Sequence, residues 1–186
     1  MNIHQLSVIY MDEQDRILLR LNTTGGDELR LWLTRRMLAR VMEPMQDAVG
    51  HLEARKTPLC DGSPASRRML ADLRRAEAMQ HSDFSTPYQG QPVALPLGTQ
   101  PLLVTQMTMT VKDDRQLQIT FEERLSPPQE VRSFQIAMES GMLHGFMHLL
   151  EAAVAMAQWN LSRIGHGRGV PGGEDASADP QPRYLQ

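Results

Sequence analysis

Twice along this chain, three short runs with a two-residue apolar period precede one long run with a helical period. That change of period constrains the fold more than any other feature, because alternate strand side chains point to opposite faces whereas helix positions three and four apart share one. In the first half, residues 3–11 alternate loosely and are rich in strand formers. Residues 16–22 set Ile17, Leu19 and Leu21 on one face, and residues 28–33 set Leu29, Leu31 and Leu33 on one face with Arg30 and Trp32 on the other. Asp12 to Asp15 and Thr23 to Asp27 are turns, the second with glycines for positive φ. The pattern predicts a three-stranded antiparallel meander. Thr34 is placed to cap a helix over residues 35–53, in which Leu38, Val41, Met45, Val49 and Leu52 keep helical spacing. Pro44 is expected to kink or break it.

The second half repeats the order. Residues 102–111, 116–122 and 130–136 read as strands, and a long helix is expected over residues 137–164. Glu28 to Trp32 matches Glu130 to Phe134; at a shifted offset, Met37, Leu38, Met42, Ala48 and Val49 match Met142, Leu143, Met147, Ala153 and Val154. Between the halves, Ser63 and Pro64 open a short arginine-rich helix to about Gln80, with an apolar stripe of Met69, Leu70, Leu73 and Ala76. A proline- and glycine-rich stretch with one short edge strand near residues 93–97 follows. The expected fold is therefore α+β: a tandem duplication of a βββα unit (1–54 and 102–164), a helical connector (55–101) and a disordered C-terminal tail (165–186).

Composition narrows the function classes. With 186 residues, 41% apolar and 22% charged, the chain has the make-up of an ordinary globular protein with room for a core. No run approaches the roughly 20 apolar residues of a membrane-spanning helix. The opening residues carry no basic region followed by an apolar core, and the single cysteine, Cys60, excludes an internal disulfide framework and a four-cysteine zinc site. A cytoplasmic protein without membrane association is expected. The net charge of −3 argues against sequence-independent nucleic-acid binding, although residues 55–100 carry six basic groups against four acidic.

No motif supports a catalytic residue, and no cofactor is expected. Cys60 has no histidine at a known spacing, and Ser63 precedes a proline. His144, His148 and Glu151 fall on one helix face at metal-ligand spacing, but the same polar stripe reads better as a solvated face, and no metal is assigned. The final helix carries more apolar surface than one sheet needs. Met142, Phe146, Leu149, Leu150 and Ala153 are the expected interface, and a homodimer that also binds an unknown protein is the leading reading. The alternative is a single-stranded nucleic-acid binder. It would stack unpaired bases on Trp32 and Phe134, each two residues after an arginine (Arg30 and Arg132), and meet phosphates with Arg67, Arg68, Arg74 and Arg75.

Overall fold

The computed structural model describes residues 3–57, 63–83, 86–90, 92–112, 116–125 and 130–161. The expected disordered tail, Cys60 and the turns at 113–115 and 126–128 lie outside the described residues.

Among the described residues the fold is α+β, with two sheets and three α-helices. Strands β1 (Ile3–Met11), β2 (Arg16–Thr23) and β3 (Glu28–Thr34) form an antiparallel meander, and a short strand β4 (Leu102–Leu103) joins β3 in parallel. Strands β5 (Gln106–Lys112), β6 (Gln116–Glu123) and β7 (Arg132–Glu139) form a second antiparallel sheet. Helix α1 (Arg35–Lys56) follows the first meander, α2 (Pro64–His81) lies between the halves, and α3 (Ser140–Met156) follows the second.

Local chemistry sets these boundaries. Gly26 has φ of +87°, and a Cβ there would come within 2.8 Å of Val93, so the β2–β3 turn requires glycine twice over. Thr34 Oγ1 accepts from the backbone N–H of Met37 at 3.2 Å and starts α1. Ser63 does the same for α2 from Ser66 at 3.2 Å, with Pro64 at the first helical position. Pro44 does not break α1, which is continuous to Lys56.

Three sequence expectations change. The run from Leu102 is two strands: Val104 N–H bonds to Trp32 of the first sheet at 3.0 Å, and the next residue, Thr105, bonds to Glu122 of the second at 2.9 Å. Neighbouring residues thus belong to different sheets, and apolar alternation alone does not register the crossing. The last helix begins at Ser140, not residue 137, because Met138 continues the inward set of β7 and is fully buried. It ends at Met156, not residue 164. There Gln158, at φ +54°, is in the left-handed region, its N–H bonds to Ala155, and Trp159 N–H reaches back to Val154. This is a Schellman cap with glutamine where glycine is favoured. Gln158→Gly is expected to stabilise the protein by about 1 kcal/mol by removing that strain; an unchanged or lower urea midpoint would contradict this.

One core serves both halves. Leu19 and Leu31 of the first sheet, Ile119 and Phe121 of the second, and Leu38 and Phe146 of the helices belong to a single buried cluster. Helix α1 packs on β5 and β6 as well as β3, and α3 packs on β1 as well as β6 and β7. Each helix therefore crosses onto the sheet of the other half instead of covering only its own.

Strand register also revises the internal match. Trp32 lies between the buried Leu31 and Leu33, opposite Leu18 on the outer face of the first sheet. Phe134 pairs with the buried Phe121 and packs against the core. Aligning Glu28–Trp32 with Glu130–Phe134 thus joins residues of opposite faces, since a one-residue slip reverses every side chain. The offset of the helix matches does better: continued backwards, it pairs Leu31 with Ile136 and Leu33 with Met138, all inward and buried.

Candidate functional site

The most unusual element is α2. None of its 18 residues is buried. Leu70, Ala71, Ala78 and Met79 are half-buried on its inner side, and two of its arginines, Arg67 and Arg75, also reach the rest of the protein. Arg75 forms an ion pair with Glu151 of α3, its Nη1 donating at 3.2 Å, and Arg67 Nη1 approaches Nδ1 of His51 on α1 at 3.5 Å. Arg68 borders the cleft between the three helices, and the exposed Arg74 pairs with Glu77 of its own helix at 2.8 Å. The four arginines expected to meet phosphates are therefore divided between contacts inside the protein and its surface. Met69 and Leu73, by contrast, are 77% and 56% exposed, with Ala76 exposed one turn on. An amphipathic helix ordinarily buries its apolar stripe; of the expected four residues only Leu70 is half-buried, and the other three face solvent.

Beneath α2, between it and the other two helices, lies a cleft of about 600 Å³. Met42, Val49 and Met147 line it, and Glu43, Asp47 and Asp72 add negative charge. This net acidic lining favours the inward-turned guanidinium groups of α2.

Helix α3 departs from both sequence readings of its faces. Of the five expected interface residues, Phe146, Leu150 and Ala153 lie within the chain's own core at 0, 0 and 3% exposure, Leu149 is half-buried, and Met142 is exposed. The apolar excess of this helix is largely taken up internally, because it crosses onto β1 while also facing α1 and α2. Nor is its polar stripe a solvated face. His144 is 3% exposed and donates through Nε2 to Glu53 of α1 at 3.2 Å, while Glu151 is held by Arg75. His148 is half-buried. Among the described residues no group of three or more His, Cys, Asp and Glu could hold a metal ion.

Glu53 itself is 1% exposed, and Ser140 Oγ donates to the same Oε1 as His144. Burial pushes its carboxyl upward, but the hydrogen bonds from His144 and Ser140 outweigh that and hold it below the usual range. Serine and histidine both bond to the carboxylate, not to each other, so this cluster lacks the nucleophile–base hydrogen bond of a hydrolytic triad. Its evident work is to tie α1 to the start of α3.

The outer face of the first sheet is a second unusual surface. Ile9, Leu18, Trp32 and Leu103 form a row across all four strands. Ile9 is 40% exposed and the other three are half-buried, and none belongs to the core cluster. In the next row Arg20 stands directly opposite Arg30. Arg30 bonds to the buried Glu28, and the Tyr88 ring lies 4.4 Å from the Arg20 guanidinium with its hydroxyl on Glu28 at 2.9 Å. Burial and the adjacent Glu28 carboxylate push the Tyr88 hydroxyl up, which keeps it a donor. The second half has no counterpart: Arg132 pairs with Glu123 and donates to Leu97 O at 2.9 Å, and Phe134 faces inward.

Sequence reasoning missed Glu53, Arg20 and Tyr88. Arg20 carried a signal, since strand alternation already set it beside Arg30. Glu53 lay at the expected end of α1, and only the tertiary packing of α3 marks it out. No family model, curated protein or solved structure matches the chain. Among the described residues no helix is long and apolar enough to cross a membrane.

Proposed function

We propose that this chain is a non-enzymatic, cytoplasmic interaction protein that self-associates through helix α2. The observation that carries this reading is the exposed apolar stripe of α2: Met69 and Leu73 turn out to solvent, while Arg67 and Arg75 turn in. A second copy fits the stripe by symmetry. A two-fold axis through the midpoint of α2 sets Met69 against the partner's Ala76 and the two Leu73 side chains together, large against small at the edges. Burying a methionine or leucine side chain contributes about 1.5–3 kcal/mol, so the stripe can supply the centre of a dimer contact. The same reading includes an origin by tandem duplication, supported by the inward match of Leu31 and Leu33 with Ile136 and Met138.

The test is size-exclusion chromatography with light scattering over a range of protein concentrations. Wild type is expected to dimerise, and Leu73→Asp to weaken the dimer by at least about 30-fold, as loss of an interface hot spot does. Because Leu73 is an exposed position, the fold should lose no more than about 0.5 kcal/mol. A wild-type monomer throughout, or a dimer indifferent to Leu73→Asp, would reject the proposal.

A further inference from the structure

We propose that the outer face of the first sheet binds single-stranded nucleic acid, with an unpaired base stacked on Trp32 and its phosphates met by Arg16, Arg20 and Arg30. The site is separate from the α2 stripe and does not depend on self-association.

Three observations carry it. The first is the row Ile9, Leu18, Trp32 and Leu103, which offers a flat apolar strip with an indole at a third strand, outside the core cluster. A sheet face of this kind accepts any base, because every base has a flat π-face.

The second is the charge around that row. Arg20 and Arg30 flank it on one side and Arg16 on the other, two strand positions away in each direction. Arg35 and Arg36, both exposed, open α1 immediately after β3. They stand at a helix N-terminus, which already favours anions, and the first turn of α1 carries no acid to offset them. Against this, Glu28 is buried and committed to Arg30 and Tyr88, Asp15 accepts from Tyr10 and from Trp159, and only Asp12 and Glu13, in the turn beside Arg16, add exposed acid. A protein with net charge −3 thus gathers a local excess of arginine around its half-exposed tryptophan.

The third is an unmet cost within the pair. Like charges directly opposite in an antiparallel ladder destabilise it, yet Arg20 faces Arg30. The Nε of Arg20 is also buried with no acceptor. Tyr88 stacking and one bond from Nη2 to Ser7 at 3.1 Å leave that group only partly satisfied. Glu28 balances one of the two charges, and a phosphate oxygen at the half-exposed pair supplies the other countercharge. An uncharged apolar partner would meet the Trp32 row but bury Arg20 without a countercharge. Charge complementarity therefore selects a polyanion with flat apolar faces.

The protein has two tryptophans, which makes the test direct. Trp159 is 6% exposed and packed edge-to-face on Tyr10, so quenching by a stacked base falls on Trp32. A short oligothymidylate titrated into the full-length protein at low salt is expected to quench tryptophan emission saturably, with affinity falling as salt rises. Trp32→Ala should weaken binding, followed by anisotropy of a labelled strand, by roughly 5- to 100-fold, the span of one lost stacking interaction. Trp32→Phe should restore most of it. Arg20→Ala with Arg30→Ala should reduce the slope against salt by about two. Leu73→Asp protein should bind as wild type does, which separates this site from the α2 dimer. Any of these results would overturn the proposal: no binding at low salt, a Trp32→Ala protein that binds normally while circular dichroism shows it folded, or heparin and duplex DNA binding as tightly as the single strand. The last would mark a generic polyanion surface; binding of thymidine monophosphate as tightly as the oligomer would equally reject a strand in favour of a nucleotide pocket.

Discussion

Phe146→Ala is expected to lower the free energy of unfolding by about 3–5 kcal/mol, and Met142→Ala, one turn earlier on the same helix, by no more than about 0.5 kcal/mol. Phe146 is fully buried in the single core that α3 shares with both sheets, whereas Met142 is 36% exposed. Truncating the ring removes its burial and leaves a void that close-packed neighbours refill only in part. A domain of this size is held by about 5–15 kcal/mol, so the variant sits near the edge of folding. Urea denaturation at several protein concentrations separates this from an interface role. Loss of a core contact is the same at every concentration, while loss of a subunit contact depends on concentration by mass action. A Phe146→Ala protein as stable as wild type would place the ring outside the core. A deficit that disappears at high protein concentration would return Phe146 to a subunit interface.

The contrast between these residues shows what the sequence can and cannot convey. Period alone places Phe146 on an apolar face, and Thr34, Ser63 and the glycines at the β2–β3 turn locate element starts through local bonds. Those signals act within a few residues, so they survive without tertiary context. Which surface covers an apolar face does not. The excess on α3 reads as a subunit interface only while each helix is assumed to cover its own sheet; once α3 crosses onto β1, the same residues become interior. The crossing at Val104 and Thr105 is invisible for the same reason: both residues suit a continuous strand, and the partner at 3.0 or 2.9 Å decides the sheet.

The candidate surfaces were legible in opposite ways. Arg30 and Trp32 were found because strand alternation fixes their face, and that face stands in the structure. Phe134 followed by analogy across an alignment of the wrong parity, and it points into the core. The stripe of Met69, Leu73 and Ala76 was equally plain, but its direction was not. A helix rotates as a unit, and in α2 the attraction between Arg75 and Glu151 is satisfied with Arg75 inward and Met69 and Leu73 outward. An ion pair this exposed contributes no more than about 1 kcal/mol. Such a weak hold is consistent with an orientation reinforced by a partner on the apolar side.

Glu53→Ala is the other substitution expected to act strongly, with a loss of about 2–4 kcal/mol, because it leaves the His144 and Ser140 donors without their acceptor. The carboxylate is the shared acceptor for Ser140 and His144 in the first turn and a half of α3, and that helix has no side-chain cap and no acid of its own in its first turn. Glu53 therefore supplies from α1 the negative charge that the positive end of α3 favours. Removing it strands the buried His144 and the half-buried Ser140 and uncouples the helices. Glu53→Gln keeps an acceptor oxygen without the charge and should cost less, about 1–2 kcal/mol. The two substitutions also differ in their pH signature. Because the folded protein holds the Glu53 carboxyl below its ordinary 4.5, its contribution is present above that value and is lost as pH falls through the lower, folded one. The stability gap between wild type and Glu53→Gln should thus be widest near neutral pH and close on acidification, whatever the other carboxylates do in both proteins. A gap constant across that range would mean that Glu53 is held by packing rather than as an anion, and the tie between α1 and α3 would then be a neutral hydrogen bond.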